Sequence, residues 1–242
     1  MKKKIVIMVF AVVLALGMYA PTCLGYSVEM GDWITYGPGI GSNFLTGEMS
    51  VSVADTSAGP FGYVYDTFCL EQYETMNWNT PYYVNDVSQY AVHGGTFTSD
   101  PISNRTAWLY YNYFNNMLAG YDYFGPTRAQ SADALQLAIW YIENEIGSVV
   151  GYGGASTLAQ TFLNNAMAAA GGMFPSWVNQ YAPGQYYVSV VNITTSDINN
   201  GYWDQKQSSL IAERVVTPEP MTVSLLGLGI LGLGLMRRRM HR

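Results

Sequence analysis

From Tyr26 to about Phe68, short runs rich in Val, Tyr, Phe and Thr are broken by Gly37-Pro38-Gly39 and Gly59-Pro60. That is the pattern of short strands separated by turns. Phe61 to Cys69 reads as one such strand, with Cys69 at its end. Beyond Cys69 the pattern changes to helices. Asp100-Pro101 has the form of a helix start, an Asp cap followed by Pro in the first turn, and that helix is expected to run to about Leu118 with Gly120 closing it. A second helix is predicted from about Arg128 to Ile146, ended by Gly147. Within it Ala132, Leu135, Ile139 and Ile142 recur at helical spacing and predict a buried face, with Gln136 and Trp140 one turn apart beside it. A third helix is predicted over Ser156 to Ala170. Strand signals return at Tyr186 to Thr195 and Gln207 to Val216, with Asn199-Asn200-Gly201 as the turn between them. Strands, then helices, then strands predict an α+β domain, a β-strand scaffold with a helical insert.

Both ends of the chain depart from this pattern. Lys2, Lys3 and Lys4 precede an apolar run from Ile5 to Met18, and small residues follow, so 1–25 reads as a secretory signal cleaved after Gly25. Cleavage after Ala20 would set Met18 where a small side chain is preferred. At the other end Pro218-Glu219-Pro220 precedes an apolar stretch, 221–236, and then Arg237-Arg238-Arg239. As a helix that stretch would be about 24 Å long, slightly short of an average bilayer core. The arginines would stay in the cytoplasm, leaving the chain between the two ends outside. The plainer reading of 217–242 is a simple membrane anchor. Part for part, though, it resembles the PEP-CTERM sorting signal of Gram-negative bacteria. That resemblance implies recognition by an exosortase, passage to the cell surface or extracellular matrix, and an association with exopolysaccharide and biofilm.

Between the ends about 192 residues remain, enough for one domain with a proper core, 26–216. Its basic residues are Arg105, Arg128, Lys206 and Arg214, against sixteen acidic ones, for a net charge of −12 that the whole-chain value of −6 conceals. A surface of that sign repels phosphates, which argues against nucleic-acid binding. Loss of the signal removes Cys23 and leaves Cys69 as the only thiol of an exported chain. An unpaired cysteine outside the cytoplasm invites oxidation or stray disulfides.

Phe68-Cys69-Leu70, a helical region, and then Leu135-Gln136-Leu137-Ala138-Ile139-Trp140 resemble the thioester domains of bacterial surface adhesins. The resemblance covers about 85 residues, from Val64 to Gly147, and the Gln motif is its more specific half. It implies Cys69 as thiol donor and Gln136 as acyl donor of an internal thioester that loses ammonia on closing, in a pocket with Phe68 and Trp140, to which the residues add His93 as a candidate. An amine from a partner would then open the bond and become covalently attached. A single lysine in the exported domain suits a protein that carries an amine-reactive group. Adhesins of this kind carry a cell-wall sorting signal and often a repeat stalk; this chain has neither. A target in the producer's own matrix or on a neighbouring cell therefore fits as well as host attachment. The plainer alternatives on the residues alone are a buried, inert thiol at Cys69 and a polar Gln136 bonded to nearby backbone. His93 reads first as a cation at a helix end and second as an aid to proton transfer.

Other chemistry is poorly served. No Gly-x-Ser-x-Gly elbow is present, and His93 is the only exported histidine. One Cys and one His make a poor zinc site, Asp197-Ile198-Asn199-Asn200-Gly201 misses the calcium-loop spacing, and no cofactor is indicated. Glu143 and Glu145 lie on different helix faces; Glu71 and Glu74 are better spaced, but such pairs are common on surfaces. The expectation is a non-enzymatic surface or matrix protein with a Cys69–Gln136 thioester, whose partners are an exosortase and an amine-bearing target. The alternative is a non-covalent structural or exopolysaccharide-binding matrix protein.

Overall fold

Alternation of apolar and polar side chains builds the first strands. A computed structural model describes residues 28–41, 47–54, 64–92, 100–170, 188–195 and 206–212. In β1 (Trp33–Pro38) Ile34 and Tyr36 are buried, in β2 (Met49–Ala54) Met49, Val51 and Val53, and in β3 (Val64–Thr67) Tyr65 and Thr67. Antiparallel pairing sets Tyr36 opposite Val51 and Val51 opposite Tyr65, so the buried sets stack across the sheet. The remaining elements in chain order are β4 (Pro81–Ser88), β5 (Tyr90–Ala91), β6 (Asp100–Pro101), α1 (Asn104–Phe114), α2 (Arg128–Ile142), α3 (Gly154–Ala169), β7 (Val188–Thr194) and β8 (Ser209–Ala212). The fold class is α+β: six strands form an antiparallel sheet in the order β3-β2-β1-β4-β7-β8, and three helices are inserted between β6 and β7.

The sheet curls until its two edges meet. Just past β3, Leu70 N–H donates to Ser208 C=O at 3.0 Å and Leu210 N–H to Phe68 C=O at 3.3 Å, with Cys69 opposite Ser209 between them. Tyr36 and Ser209 hydroxyls meet at 2.8 Å across the interior, though their strands are three apart in the sheet order. All seven residues of β7 are buried, as expected of a strand covered on both faces. The helices pack against each other, and α1 also lies on β7 and β8.

Four boundaries differ from expectation, each for a local reason. The segment after Cys69 is not helical at first: β4 is the longest strand and lies inside the sheet. Its alternation, Tyr82 and Val84 buried, is interrupted by a register shift between Val84 and Asp86. Asp100-Pro101 does not start α1; it pairs with Tyr90–Ala91 as a short strand. Ser103 caps the helix instead, accepting from Thr106 N–H at 3.1 Å. Because Asn116 takes the left-handed conformation (φ 57°), α1 stops at Phe114 rather than near Gly120. Asn144 (φ 62°) likewise ends α2 at Ile142, before Gly147. The helix α2 is also buried nearly all round, Ala134 to Trp140 without a break, because neighbours flank it on several sides.

Residues Ser27–Val215 form one compact unit, and all that is described lies within it. The signal segment 1–25, the sorting tail 217–242, His93 and the Asn199-Gly201 turn fall outside the described residues. Among the described residues no helix is long and apolar enough to cross a membrane.

Candidate functional site

The seam of the sheet fixes Cys69. Its neighbour Phe68 bonds to β8 and Leu70 to Ser208 just before it, so residue 69 is a non-hydrogen-bonded pair member whose own N–H and C=O point away from that strand. On the free side β2 reaches only to Met49, opposite Thr67, and leaves those two groups without a strand partner. The side chain of Gln136 fills the vacancy. Gln136 Oε1 accepts from Cys69 N–H at 3.0 Å, and Gln136 Nε2 donates to Cys69 C=O at 2.8 Å. The amide thus acts as a one-residue strand, and its carbonyl carbon is clipped against the residue that carries the thiol.

Burial and an ion pair hold α2 in that register. Gln136 is 1 % exposed. Two turns earlier, at the start of the same helix, Arg128 donates through Nε and Nη2 to the carboxylate of Glu48, the residue before β2, at 2.9–3.2 Å. Glu48 also accepts from Tyr113 (2.8 Å), Tyr121 (2.7 Å) and Gly41 N–H (2.7 Å). Gly41 is required here, because a Cβ would sit 2.8 Å from both Ala132 Cβ and Glu48 Oε2. Burial works against the Glu48 charge, but Arg128 and the three other donors outweigh it and hold the carboxyl below its ordinary range.

Cys69 and Gln136 open on a cavity of about 310 Å³ that Met49, Glu71, Trp78 and Trp140 also line. The thiol donates to Met49 Sδ at 3.5 Å. Burial, with the Glu71 charge adding to it, pushes the Cys69 thiol well above its usual range, so it is protonated at neutral pH. Attack on the Gln136 carbonyl therefore requires a group that takes the proton. The Cys69 N–H, already on Oε1, is placed to stabilise negative charge developing on that oxygen.

Glu71, reckoned from sequence as half of an ordinary surface pair, is only 3 % exposed. Its Oε2 accepts from Ser208 N–H at 3.0 Å and Gln207 Nε2 at 3.3 Å, while its buried Oε1 has no hydrogen-bond partner. Desolvation, despite the Ser208 hydrogen bond, pushes its carboxyl up to about 8. A signal was present in the chain: Glu71 stands only two residues after Cys69.

Of the other expected pocket residues, Trp140 lines the cavity, 7 % exposed, and its buried Nε1 has no hydrogen-bond partner. Phe68 is fully buried but does not line the cavity; its ring meets Tyr113 edge-on at 4.9 Å. Among the described residues no group of three or more His, Cys, Asp or Glu side chains is placed to hold a metal ion. No family model matches the chain, and no curated protein and no solved structure matches it.

Proposed function

We propose that this is an exported surface or matrix protein that attaches covalently to amine-bearing partners through an internal Cys69–Gln136 thioester. The observation that carries the reading is the paired hydrogen bond between the Gln136 amide and the Cys69 backbone. It holds the acyl carbon beside residue 69, which supplies the proximity that a poor electrophile such as an amide needs. The adjoining cavity gives an amine a way in, and Trp140 keeps much of the wall apolar and slows hydrolysis. The thiol replaces the amide nitrogen, ammonia leaves, and a partner's amine later displaces the sulfur. Each molecule reacts once, so the role is attachment and not turnover. Export by 1–25, tethering through 221–236 and recognition of the tail with its Pro218-Glu219-Pro220 by an exosortase complete the proposal.

Intact mass of the freshly purified protein tests it. The wild type is expected to be lighter than its sequence by one ammonia, and methylamine to bring the mass up as it is incorporated. Cys69→Ala and Gln136→Ala should each show neither change. Full mass with a titratable thiol in an early sample would sink the reading.

A second reading, non-covalent binding of exopolysaccharide, draws on a separate cavity of about 240 Å³ whose lining includes Tyr113, Tyr123, Asp66 and Arg128. Aromatic faces beside a carboxylate and a guanidinium suit a sugar ring. Under that reading Gln136 only satisfies the Cys69 backbone, and the intact mass equals that of the sequence.

A further inference from the structure

Glu71 Oε1 and Trp140 Nε1, in the wall of the Cys69 cavity, are buried without a hydrogen-bond partner. A buried carboxyl oxygen without a donor costs free energy, and a fold rarely retains one without a use. The rest of Glu71 is firmly held: Oε2 is fixed by Ser208 N–H and Gln207 Nε2, and Gln207 Nε2 also donates to Glu71 C=O at 2.7 Å. One oxygen is anchored and the other is free, in a cavity shared with a protonated thiol and an amide.

We propose that Glu71 is the proton-transfer residue of the Cys69–Gln136 centre, serving both closure of the thioester and its opening by an amine. The inference rests on the thioester reading. In closure the Glu71 carboxylate takes the proton from Cys69 Sγ as the sulfur attacks Gln136 Cδ. It returns that proton to the departing nitrogen: the C–S bond forms, the C–N bond breaks, and ammonia leaves with Glu71 restored. In opening, an uncharged primary amine attacks Cδ, and its surplus proton passes through Glu71 to the sulfur. The C–N bond forms, the C–S bond breaks, and Cys69 leaves as a neutral thiol. No other reactant is needed.

The groups around Glu71 favour this use. Cys69 and Glu74 lie on its own segment, Tyr36 faces it from β1 and Glu48 stands in the cavity wall at the start of β2. Asp100, Glu143 and Glu145 line a small hollow that it also borders. None of these is basic, so nothing among them holds Glu71 permanently ionised, and its carboxyl, at about 8, exchanges protons near neutral pH.

The test uses the full exported protein and hydroxylamine, which is uncharged at neutral pH and above, so its own titration does not enter. Opening is followed by intact mass as a function of pH. For the wild type we expect a rate that rises as Glu71 ionises and levels off above about pH 8. For Glu71→Gln we expect a flat profile and a rate about 10²-fold or more lower. If Glu71→Gln fails to close, Glu71→Asp, which keeps a carboxyl, is expected to close slowly. Closure of Glu71→Gln at the wild-type rate would show that closure does not use Glu71 and would overturn the proposal. Equal rates and profiles in wild type and Glu71→Gln overturn it too, but leave the thioester standing. A wild type at full mass from the outset removes the thioester and this inference together.

Discussion

Two glutamates in the wall of one cavity have opposite fates. Glu48 is 0 % exposed and Glu71 3 %, so depth does not separate them. Partners do. Both oxygens of Glu48 are occupied, by a guanidinium, two phenols and a backbone N–H, and its charge is stabilised. Glu71 receives amide donors on one oxygen and none on the other, and it holds its proton near neutrality. Burial alone makes a carboxyl neutral; burial with a cation and enough donors makes it an anchor. The first arrangement leaves a group that can move protons, and the second locks a helix in register.

Removing the anchor should have the largest effect. Arg128→Ala leaves the Glu48 charge buried without its cation, and a loss of about 3–5 kcal/mol is expected by urea unfolding. With the start of α2 released, the Gln136 amide should also leave Cys69, and the ammonia-deficient species should disappear. A loss under 1 kcal/mol would mean that the phenols and Gly41 suffice for Glu48.

The pH dependence of stability separates the two glutamates by sign. The Glu71 carboxyl is raised, so the stability tied to its neutral form is complete below the unfolded-state value and is lost as pH climbs towards about 8. Glu48 is depressed, so its contribution is present at neutral pH and is lost as pH falls below the ordinary carboxylate range. Glu71→Gln should therefore gain on the wild type by about 1.4 kcal/mol per pH unit between roughly pH 4.5 and 8. The difference between the two proteins isolates Glu71 from Asp66, Asp100 and Glu143, whose carboxyls are also raised by burial. Parallel stability curves would show that Glu71 ionises as readily folded as unfolded.

How far the sequence exposed this arrangement depends on distance along the chain. Local signals were readable: the alternation of β2, the start of α2 at Arg128, and the Gln136-to-Trp140 spacing that aims both side chains into the cavity. The strand β4 was hidden because its bulge falls at Asn85-Asp86, where polar residues break the period of two. The seam was hidden because its halves, Cys69 and Ser209, belong to distant segments. Glu71 reads as surface by residue type, and only closure of the sheet against Ser208 encloses it. Glu48 and Arg128, 80 residues apart, carry no pairing signal at all.

The phenols on Glu48 provide a finer test. Tyr113→Phe and Tyr121→Phe each remove one donor to a buried carboxylate that keeps its others, and each should cost about 1.5–3 kcal/mol. The two losses should not add, because Glu48 Oε1 accepts from both phenols and from Arg128.

The smallest effect is expected at Trp140. Its Nε1 is buried in the cavity wall without a hydrogen-bond partner, so Trp140→Phe deletes a buried donor that has no partner to lose. Relief of that desolvated N–H is worth about 1–3 kcal/mol. Against it stands the lost volume of the indole, a truncation that costs a similar amount in a packed wall. The two nearly cancel, and the net change should stay within about 1 kcal/mol by urea unfolding. That near-neutrality distinguishes the Trp140 N–H from the donors around Glu48, each of which has a partner to lose. A loss above 2 kcal/mol would show that the indole N–H is satisfied in solution and that Trp140 Nε1 does not share the unbonded state of Glu71 Oε1.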